Sequence, residues 1–231
     1  MIKLKVFHIE NDIDFDENYI NVLEIENKKM FTQFIYSLNR LINYTEESEE
    51  IILLDGNKKL SICKEVMLVY DLFNININEG KILKILYQDI EYQYKLEHAE
   101  INLLEKFSDI IKNINYITLN YDFEFEYKRE ITIKELLKAI SFKFNNNYYD
   151  NPFDNIIAIF DLIATFKLYK VIILVNIKCY FKEEELIEIY KAAKHRNLNL
   201  LIIEPIVDEK LKYLENKLSI DNDYDEFILK I

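Results

Sequence analysis

Apolar residues at the start of the chain alternate with polar ones or form short runs, which predicts β-strands. Residues spaced by three or four positions between 28 and 42 instead predict an amphipathic helix. The last early apolar run ends at Asp55-Gly56-Asn57, a turn signal. The strands expected in this part are 2–8, 13–15, 22–25 and 51–54.

From Lys64 to about Lys112 the apolar period becomes helical, and no strand is expected in this block. The apolar residues of 66–72, 82–90 and 101–111 each fit one helix face. We therefore predict an all-helical subdomain, a leg, over residues 63–117. It would be inserted into an α/β head domain made of residues 1–62 and 118–231.

The α/β pattern resumes after this block, beginning with strict alternation over 121–127 that predicts a further strand. The Val/Ile/Leu runs beyond it are continuous, which indicates parallel strands buried on both faces. The fold class is therefore α/β, a head with a parallel-cored sheet plus the inserted helical leg. The expected helices are 131–140, 153–169 and 183–195, and the expected buried strands are 171–175 and 198–203.

The chain has only two glycines, Gly56 and Gly80, and they lie far apart. Phosphate-binding loops of the GxxxxGK[ST] and GxGxxG types need clustered glycines, because the backbone must approach the phosphates closely. Both loops are therefore excluded. Nucleotide chemistry that depends on them is excluded as well.

Cysteine usage and hydropathy favour a cytoplasmic protein. Cys63 and Cys179 lack the spacing of zinc ligands, and the start of the chain has no apolar stretch typical of a secretion signal. No segment reaches the ~18 apolar residues that a membrane-spanning helix requires.

The formal net charge of −12 argues against nucleic-acid binding, because duplex binding draws on an excess of Lys and Arg. Binding depends on the local field, however, and an acidic chain presents a basic surface if its carboxylates are segregated or neutralised. Charge alone leaves both possibilities open.

Three carboxylates, Asp122, Glu124 and Glu126, alternate with aromatic residues over 121–127. In a strand they would form a row on one face, roughly 6.6 Å apart, where they repel one another. A Ca²⁺ ion would relieve that repulsion, and Glu130 is near enough in sequence to contribute. The alternative is a half-exposed strand with a solvated acidic face.

Basic residues flank the expected turns, in particular the pairs Lys58-Lys59 and Lys128-Arg129. Such pairs are candidate contacts to phosphates, which position a duplex without reading its sequence. Ordinary surface charge is the alternative for each pair.

No catalytic constellation is visible, so we predict that the chain is not an enzyme. Asn176 and Glu204 follow buried strands, where open α/β sheets often bind ligands. Without a phosphate loop, however, a site there has no obvious substrate.

Several segments in a fixed order carry a family resemblance. They are residues 54–59 (LDGNKK), 65–72 (EVMLVYDL), 83–91 (LKILYQDIE), 123–127 (FEFEY), 131–136 (ITIKEL), 174–176 (LVN) with Tyr180 and Phe181, and 201–205 (LIIEP). In that order the chain resembles the small subtype-specific adaptation proteins of type II-A CRISPR systems, over nearly its whole length.

The resemblance implies an ATPase-like head without nucleotide machinery, a helical leg and a homotetrameric ring. Such a ring encircles double-stranded DNA ends during spacer acquisition, depends on Ca²⁺ and has no catalytic activity. Its partners would be the CRISPR integrase proteins and the type II effector nuclease. Carried over by position, the metal ligands are Asp122, Glu124, Glu126 and Glu130, and the DNA contacts are Lys58, Lys59, Lys128 and Arg129.

Three other functions remain compatible with the sequence. A metal-dependent nuclease would use the row of Asp122, Glu124 and Glu126. A degenerate nucleotidase would bind ATP, and a pure protein scaffold would bind neither DNA nor metal.

Overall fold

The computed structural model of the chain describes residues 1–16, 18–44, 49–97, 100–145, 151–208 and 210–230. Its helices are α1 Lys28–Asn43, α2 Ile62–Glu65, α3 Gly80–Leu96, α4 Glu100–Thr118, α5 Ile133–Ala139, α6 Pro152–Phe166 and α7 Glu183–His195. Its strands are β1 Ile2–Val6, β2 Ile13–Asp14, β3 Ile20–Ile25, β4 Ile51–Asp55, β5 Lys58–Leu60, β6 Val66–Val69, β7 Val171–Val175, β8 Asn199–Glu204, β9 Glu215–Ile220 and β10 Glu226–Leu229. The α/β class is confirmed. In the described ranges no helix has the length and apolarity to cross a membrane.

The chain divides into two compact units. The first consists of Met1–Ile75 with Tyr148–Ile231, and the second of Asn76–Asn147. The first unit holds a four-stranded antiparallel sheet, ordered β2-β1-β4-β5, and a six-stranded sheet, ordered β10-β9-β3-β8-β7-β6. All pairs in the larger sheet are parallel except that of β10 with β9. The predicted parallel pairing is therefore present.

The central strands of the larger sheet form where the apolar runs are longest. Every residue of β3 and β7 is buried. One face of this sheet meets the apolar side of α1, formed by Phe34, Leu38 and Leu41. Helix α1 begins at Asn27, whose side-chain oxygen accepts hydrogen bonds from the amides of Lys29 and Met30 at 3.1 Å each.

The prediction that no strand interrupts the helical block is wrong at its beginning. Residues Val66–Val69 form β6, which pairs in parallel with β7 at the edge of the larger sheet. Short apolar runs of this kind fit a strand and a helix face equally well, and tertiary pairing decides between them. The second unit begins at Asn76 and ends at Asn147, whereas the sequence predicted a leg over 63–117.

The predicted strand over Tyr121–Tyr127 is not formed. These residues run between α4 and α5 outside any strand, and every residue from Tyr121 to Glu130 is exposed. Alternation of apolar and polar residues favours a β-strand, but a strand also needs a neighbouring backbone with which to form hydrogen bonds. The described part of this unit supplies none.

The second unit is built from α3, α4 and α5. Helix α3 packs against α5. The hydroxyl of Tyr87 in α3 donates a hydrogen bond to the carbonyl of Phe142, at 2.5 Å. Helix α5 begins with a capping box, in which Thr132 and Glu135 bond each other's backbone amides.

A buried cluster of charged residues lies on the second face of the six-stranded sheet, beside apolar residues such as Val22 and Ile202. Glu24 of β3 and Glu215 and Lys217 of β9 are fully buried. Parallel register sets Lys217 beside Val22 and Ser219 beside Glu24, so these side chains share one face. The Lys217 Nζ lies 3.1 Å from Glu24 Oε1 and 3.9 Å from Glu215 Oε2.

Lys178 joins this cluster from the short 3₁₀ turn that follows β7. Its Nζ lies 3.0 Å from Glu215 Oε1 and 3.4 Å from Glu24 Oε1. The Tyr190 hydroxyl of α7 donates a hydrogen bond to the same Glu215 oxygen at 2.9 Å. The cluster thus connects β3, β9, the 3₁₀ turn and α7.

Lys217 also holds the segment that precedes β9. Its Nζ donates hydrogen bonds to the carbonyls of Asp208 and Lys210, each at 2.7 Å. Glu24 Oε2 accepts bonds from the amide of Asp208 at 3.1 Å and from the Ser219 hydroxyl at 2.9 Å. Glu24, Glu215 and Lys217 therefore each have a partner of opposite charge, which is the condition for tolerating buried ions.

Glu204, at the end of β8, is the exception among these carboxylates. It is 5% exposed and accepts a hydrogen bond from the Lys178 amide at 2.9 Å. No ammonium lies within ion-pair distance of it in the described residues. Burial, which removes the carboxylate from water, raises the pKa of Glu204 to about 7.

We predict that Glu204→Gln removes a pH dependence of stability in this region. The folded pKa, about 7, lies above the usual value of 4.5. The stability contribution is therefore fully present below pH 4.5 and is lost as pH rises towards 7. At 1.36 kcal/mol per pKa unit, the loss is about 3 kcal/mol.

Urea unfolding of the parent chain and the variant, measured across this pH range, checks the prediction. The difference between their unfolding free energies should grow in the variant's favour as pH rises. Glu184→Gln, which alters an exposed carboxylate, is the control and should follow the parent. A constant difference for Glu204→Gln would show that this carboxyl does not titrate there.

Candidate nucleic-acid interface

The first predicted pair of DNA contacts, Lys58 and Lys59, lies on the hairpin that joins β4 to β5. Gly56 forms the turn with a φ of +58°, a conformation that favours glycine. Both lysines are exposed, and neither makes an ion pair in the parts of the chain that the structure describes. They are available to a phosphate. Their neighbour Asp55 instead binds Lys170, at 2.7 Å.

The second pair, Lys128 and Arg129, lies in the exposed segment before α5. Lys128 Nζ is 2.6 Å from Glu135 Oε1. This ammonium, together with bonds from the Thr132 amide and hydroxyl, lowers the pKa of Glu135 to about 2. Part of the Lys128 charge is therefore already offset by Glu135, whereas Arg129 is exposed and makes no ion pair with a described residue.

The four predicted metal ligands do not converge in one chain. Asp122, Glu124, Glu126 and Glu130 all lie on the exposed, irregular segment between α4 and α5. Among the described residues, no group of three or more Asp, Glu, His or Cys side chains is placed to hold a metal ion.

Carboxylate oxygen is the ligand that Ca²⁺ prefers, but a bound ion needs six to eight oxygens gathered at about 2.3–2.6 Å. In this segment the carboxylates are exposed and do not cluster. The residues of a single chain therefore do not fit a calcium site in this arrangement, although they are of the right chemical type.

The ends of the buried strands are occupied by the protein itself. Asn176, after β7, adopts a left-handed conformation with φ 56° and leads directly into the 3₁₀ turn. Glu204, after β8, bonds that same turn. Only Glu26 and Asn27 separate β3 from α1, and the first amides of α1 are bonded by Asn27. Neither a glycine loop nor free helix amides are present there to hold a phosphate.

Sequence reasoning missed Glu24, Glu215 and Lys217, which form the buried cluster. Strands β9 and β10 were not predicted, because polar residues at alternate positions of β9 are typical of a solvent-exposed face. The signal that could have found β9 lies in the apolar residues that alternate with these polar ones. Apolar Leu218 and Ile220 mark a buried face, so the strand had to pair within the sheet.

A protein-family model described as "CRISPR-associated protein (Cas_Csn2)" matches residues 43–224. The CRISPR-associated protein Csn2 of Enterococcus faecalis is 25% identical over 198 residues, covering 83% of this chain and 90% of the relative. That of Streptococcus agalactiae is 26% identical over 185 residues, covering 80% and 81%.

One solved structure supports the fold. The crystal structure of Stu0660 of Streptococcus thermophilus superposes with a TM-score of 0.59 at 15% identity, covering 94% of this chain and 74% of that one. The similarity shows a shared fold. The family is shown by the model match, which spans well over half of the chain. The chain belongs to the Csn2 family of CRISPR-associated proteins.

Proposed function

We propose that this protein binds double-stranded DNA ends during CRISPR spacer acquisition, as a homotetrameric ring that depends on Ca²⁺ and performs no catalysis. The observation that carries the proposal is the family match over residues 43–224. It acts in the cytoplasm, with the CRISPR integrase proteins and the type II effector nuclease as partners.

The hairpin lysines support DNA contact despite the net charge of −12. Lys58 and Lys59 are exposed and make no ion pair with a described residue. Asp55, which lies opposite Lys58 on the hairpin, offsets part of the Lys58 charge but is itself bonded to Lys170. Several carboxylates of the same unit form ion pairs with other lysines. Asp12 binds Lys3 and Lys5, for example, and Glu24 and Glu215 bind buried lysines.

The surface of α4 supports assembly. Its apolar residues Ile110, Ile114 and Ile117 recur at helical spacing on one face, and each is more than 40% exposed. Contiguous exposed apolar surface of this kind marks an interface with another protein. A homotetramer would cover it. Ca²⁺ acts on the assembled form in this proposal, since the carboxylates of one chain do not converge.

Threading onto ends predicts a preference for linear over circular DNA. In a gel-shift assay at low salt, linear duplex should shift in Ca²⁺ and much less in chelator. The same sequence as a closed circle should not shift, because a ring cannot thread onto it. The DNA should remain intact in every lane.

Three outcomes would contradict this. Equal binding to both forms would remove the threading mechanism and leave groove or backbone binding. Cleavage in Mg²⁺ or Mn²⁺ that Asp122→Ala abolishes would establish the nuclease alternative. Lack of binding to either form would favour a protein scaffold.

Lys58→Gln with Lys59→Gln should weaken DNA binding without changing sequence preference, because phosphate contacts carry no sequence information. If both lysines contact phosphates, the slope of log K against log salt should fall by about 2, roughly one unit for each contact. Filter binding over a salt titration measures this slope.

The matched control is Lys191→Gln, which removes an exposed positive charge already paired with Glu188 at 2.8 Å. It should leave the salt slope unchanged. Equal effects of the control and the hairpin variant would mean that net charge, and not the hairpin, governs binding.

A further inference from the structure

The exposed segment between α4 and α5 is nearly palindromic. Read from its centre at Glu124, Phe123 mirrors Phe125 and Asp122 mirrors Glu126. At the next step outward Tyr121 mirrors Tyr127. An antiparallel pair of identical strands related by a two-fold axis places just such mirrored residues opposite each other.

The described part of the second unit supplies no backbone that pairs with this segment as a neighbouring strand. Among the described residues, no backbone group from Asp122 to Ile131 makes a hydrogen bond. The aromatic side chains are also open to solvent, with Phe123 76% and Phe125 51% exposed. Unbonded backbone and exposed aromatics in an alternating segment are the properties of an edge strand that accepts another strand.

We propose that residues 121–127 of two copies of this chain pair as antiparallel strands about a two-fold axis at Glu124. This is the strand that the alternation predicts, formed between chains and not within one. This pairing rests on the homotetramer of the proposed function, and it would form one of the two-fold interfaces between subunits of that tetramer.

The aromatic face explains the attraction. In this register Tyr121 of one copy lies opposite Tyr127 of the other, and Phe123 lies opposite Phe125. Aromatic cross-strand pairs of this kind each contribute roughly 0.2–1 kcal/mol relative to alanine pairs. Within one chain, the rings of Tyr121 and Phe125 meet edge to face at 5.9 Å, and the Tyr127 hydroxyl accepts a hydrogen bond from the Asn115 side-chain amide at 3.0 Å. Pairing would replace the ring contact, because an extended strand separates residues four apart by about 13 Å. Self-pairing would build a continuous aromatic row from both copies.

The acidic face sets the condition for pairing. Asp122 of one copy would lie opposite Glu126 of the other, and the two Glu124 side chains would meet on the axis, an arrangement that destabilises a strand pair. The neighbouring Lys128 does not offset this, because its ammonium is already paired with Glu135 at 2.6 Å. Six carboxylates would therefore repel one another, so pairing should strengthen as salt screens the repulsion.

Cysteine cross-linking tests the register. In a full-length background with Cys63→Ser and Cys179→Ser, Glu124→Cys places two thiols directly opposite each other. Opposed residues of antiparallel strands have Cα atoms about 4.5–5.5 Å apart, within the range of a disulfide. Mild oxidation should therefore convert most of this variant to a covalent dimer on a non-reducing gel, and more completely at higher salt.

Glu126→Cys is the matched control. It removes the same kind of carboxylate from the same exposed segment, but the two introduced thiols would lie about 14 Å apart along the strands. It should not cross-link with itself. A mixture with a tagged Asp122→Cys chain should give the mixed dimer, because positions 122 and 126 oppose each other. Equal cross-linking of Glu124→Cys and Glu126→Cys, or none at Glu124→Cys, would overturn the proposal.

The oligomeric state and DNA binding of the background chain, which carries only Cys63→Ser and Cys179→Ser and keeps every carboxylate, separate this inference from the proposed function. If Glu124→Cys forms no disulfide while the background chain assembles and shifts linear DNA, the strand pairing is wrong and the ring stands. If the disulfide forms in that register but linear DNA is not bound, the pairing stands and the DNA-binding proposal fails.

Discussion

Strand β3 can lie at the centre of the six-stranded sheet only because its buried carboxylate is fully bonded. Glu24 meets two ammonium groups, a hydroxyl and a backbone amide, and its removal from water is thereby compensated. The burial of Lys217 depends on its partners in the same way, since its ammonium bonds two carbonyls as well as Glu24. Deleting either partner would leave the other charged and buried. The two sheet faces thus differ: the face towards α1 is packed by apolar residues, whereas the other combines apolar residues with the buried ions that bond to α7.

That ionic face has a consequence for function. In many open α/β sheets the carboxyl ends of the strands form a ligand site. Here the 3₁₀ turn after β7 and the segment before β9 are bonded onto this end by Glu204, Glu24 and Lys217. The groups that could receive a nucleotide are already partnered within the protein. The contacts proposed above with other molecules lie instead on the surface, at the hairpin lysines, the exposed face of α4 and the segment after it.

The sequence predicted best what local pattern and burial determine together. Strand β7 and helix α7 were predicted with the observed bounds, since a continuous apolar run and a helical period leave few alternatives. The prediction failed where pairing decides. The residues of β6 fit a helix face equally well, and only their pairing at the sheet edge identifies a strand. Strand β9 was missed because its charged residues, which are buried, have the sequence pattern of a solvent-exposed strand face. The predicted metal and DNA residues are all exposed, but no pattern could tell that Lys128 is already bonded to Glu135.

The segment after α4 shows most clearly that sequence alone does not tell which backbone pairs with a strand. Its alternation is as regular as that of any strand in the protein, yet it is not a strand in one chain, because a ladder of hydrogen bonds requires two backbones. A pattern in sequence specifies which face of a strand is apolar, not which molecule supplies the neighbour. Near-palindromy adds the missing information, since a sequence that mirrors itself is matched to its own copy under two-fold symmetry. The carboxylates on the reverse face then make pairing conditional on the ionic surroundings, so that assembly and charge screening are coupled through one short segment.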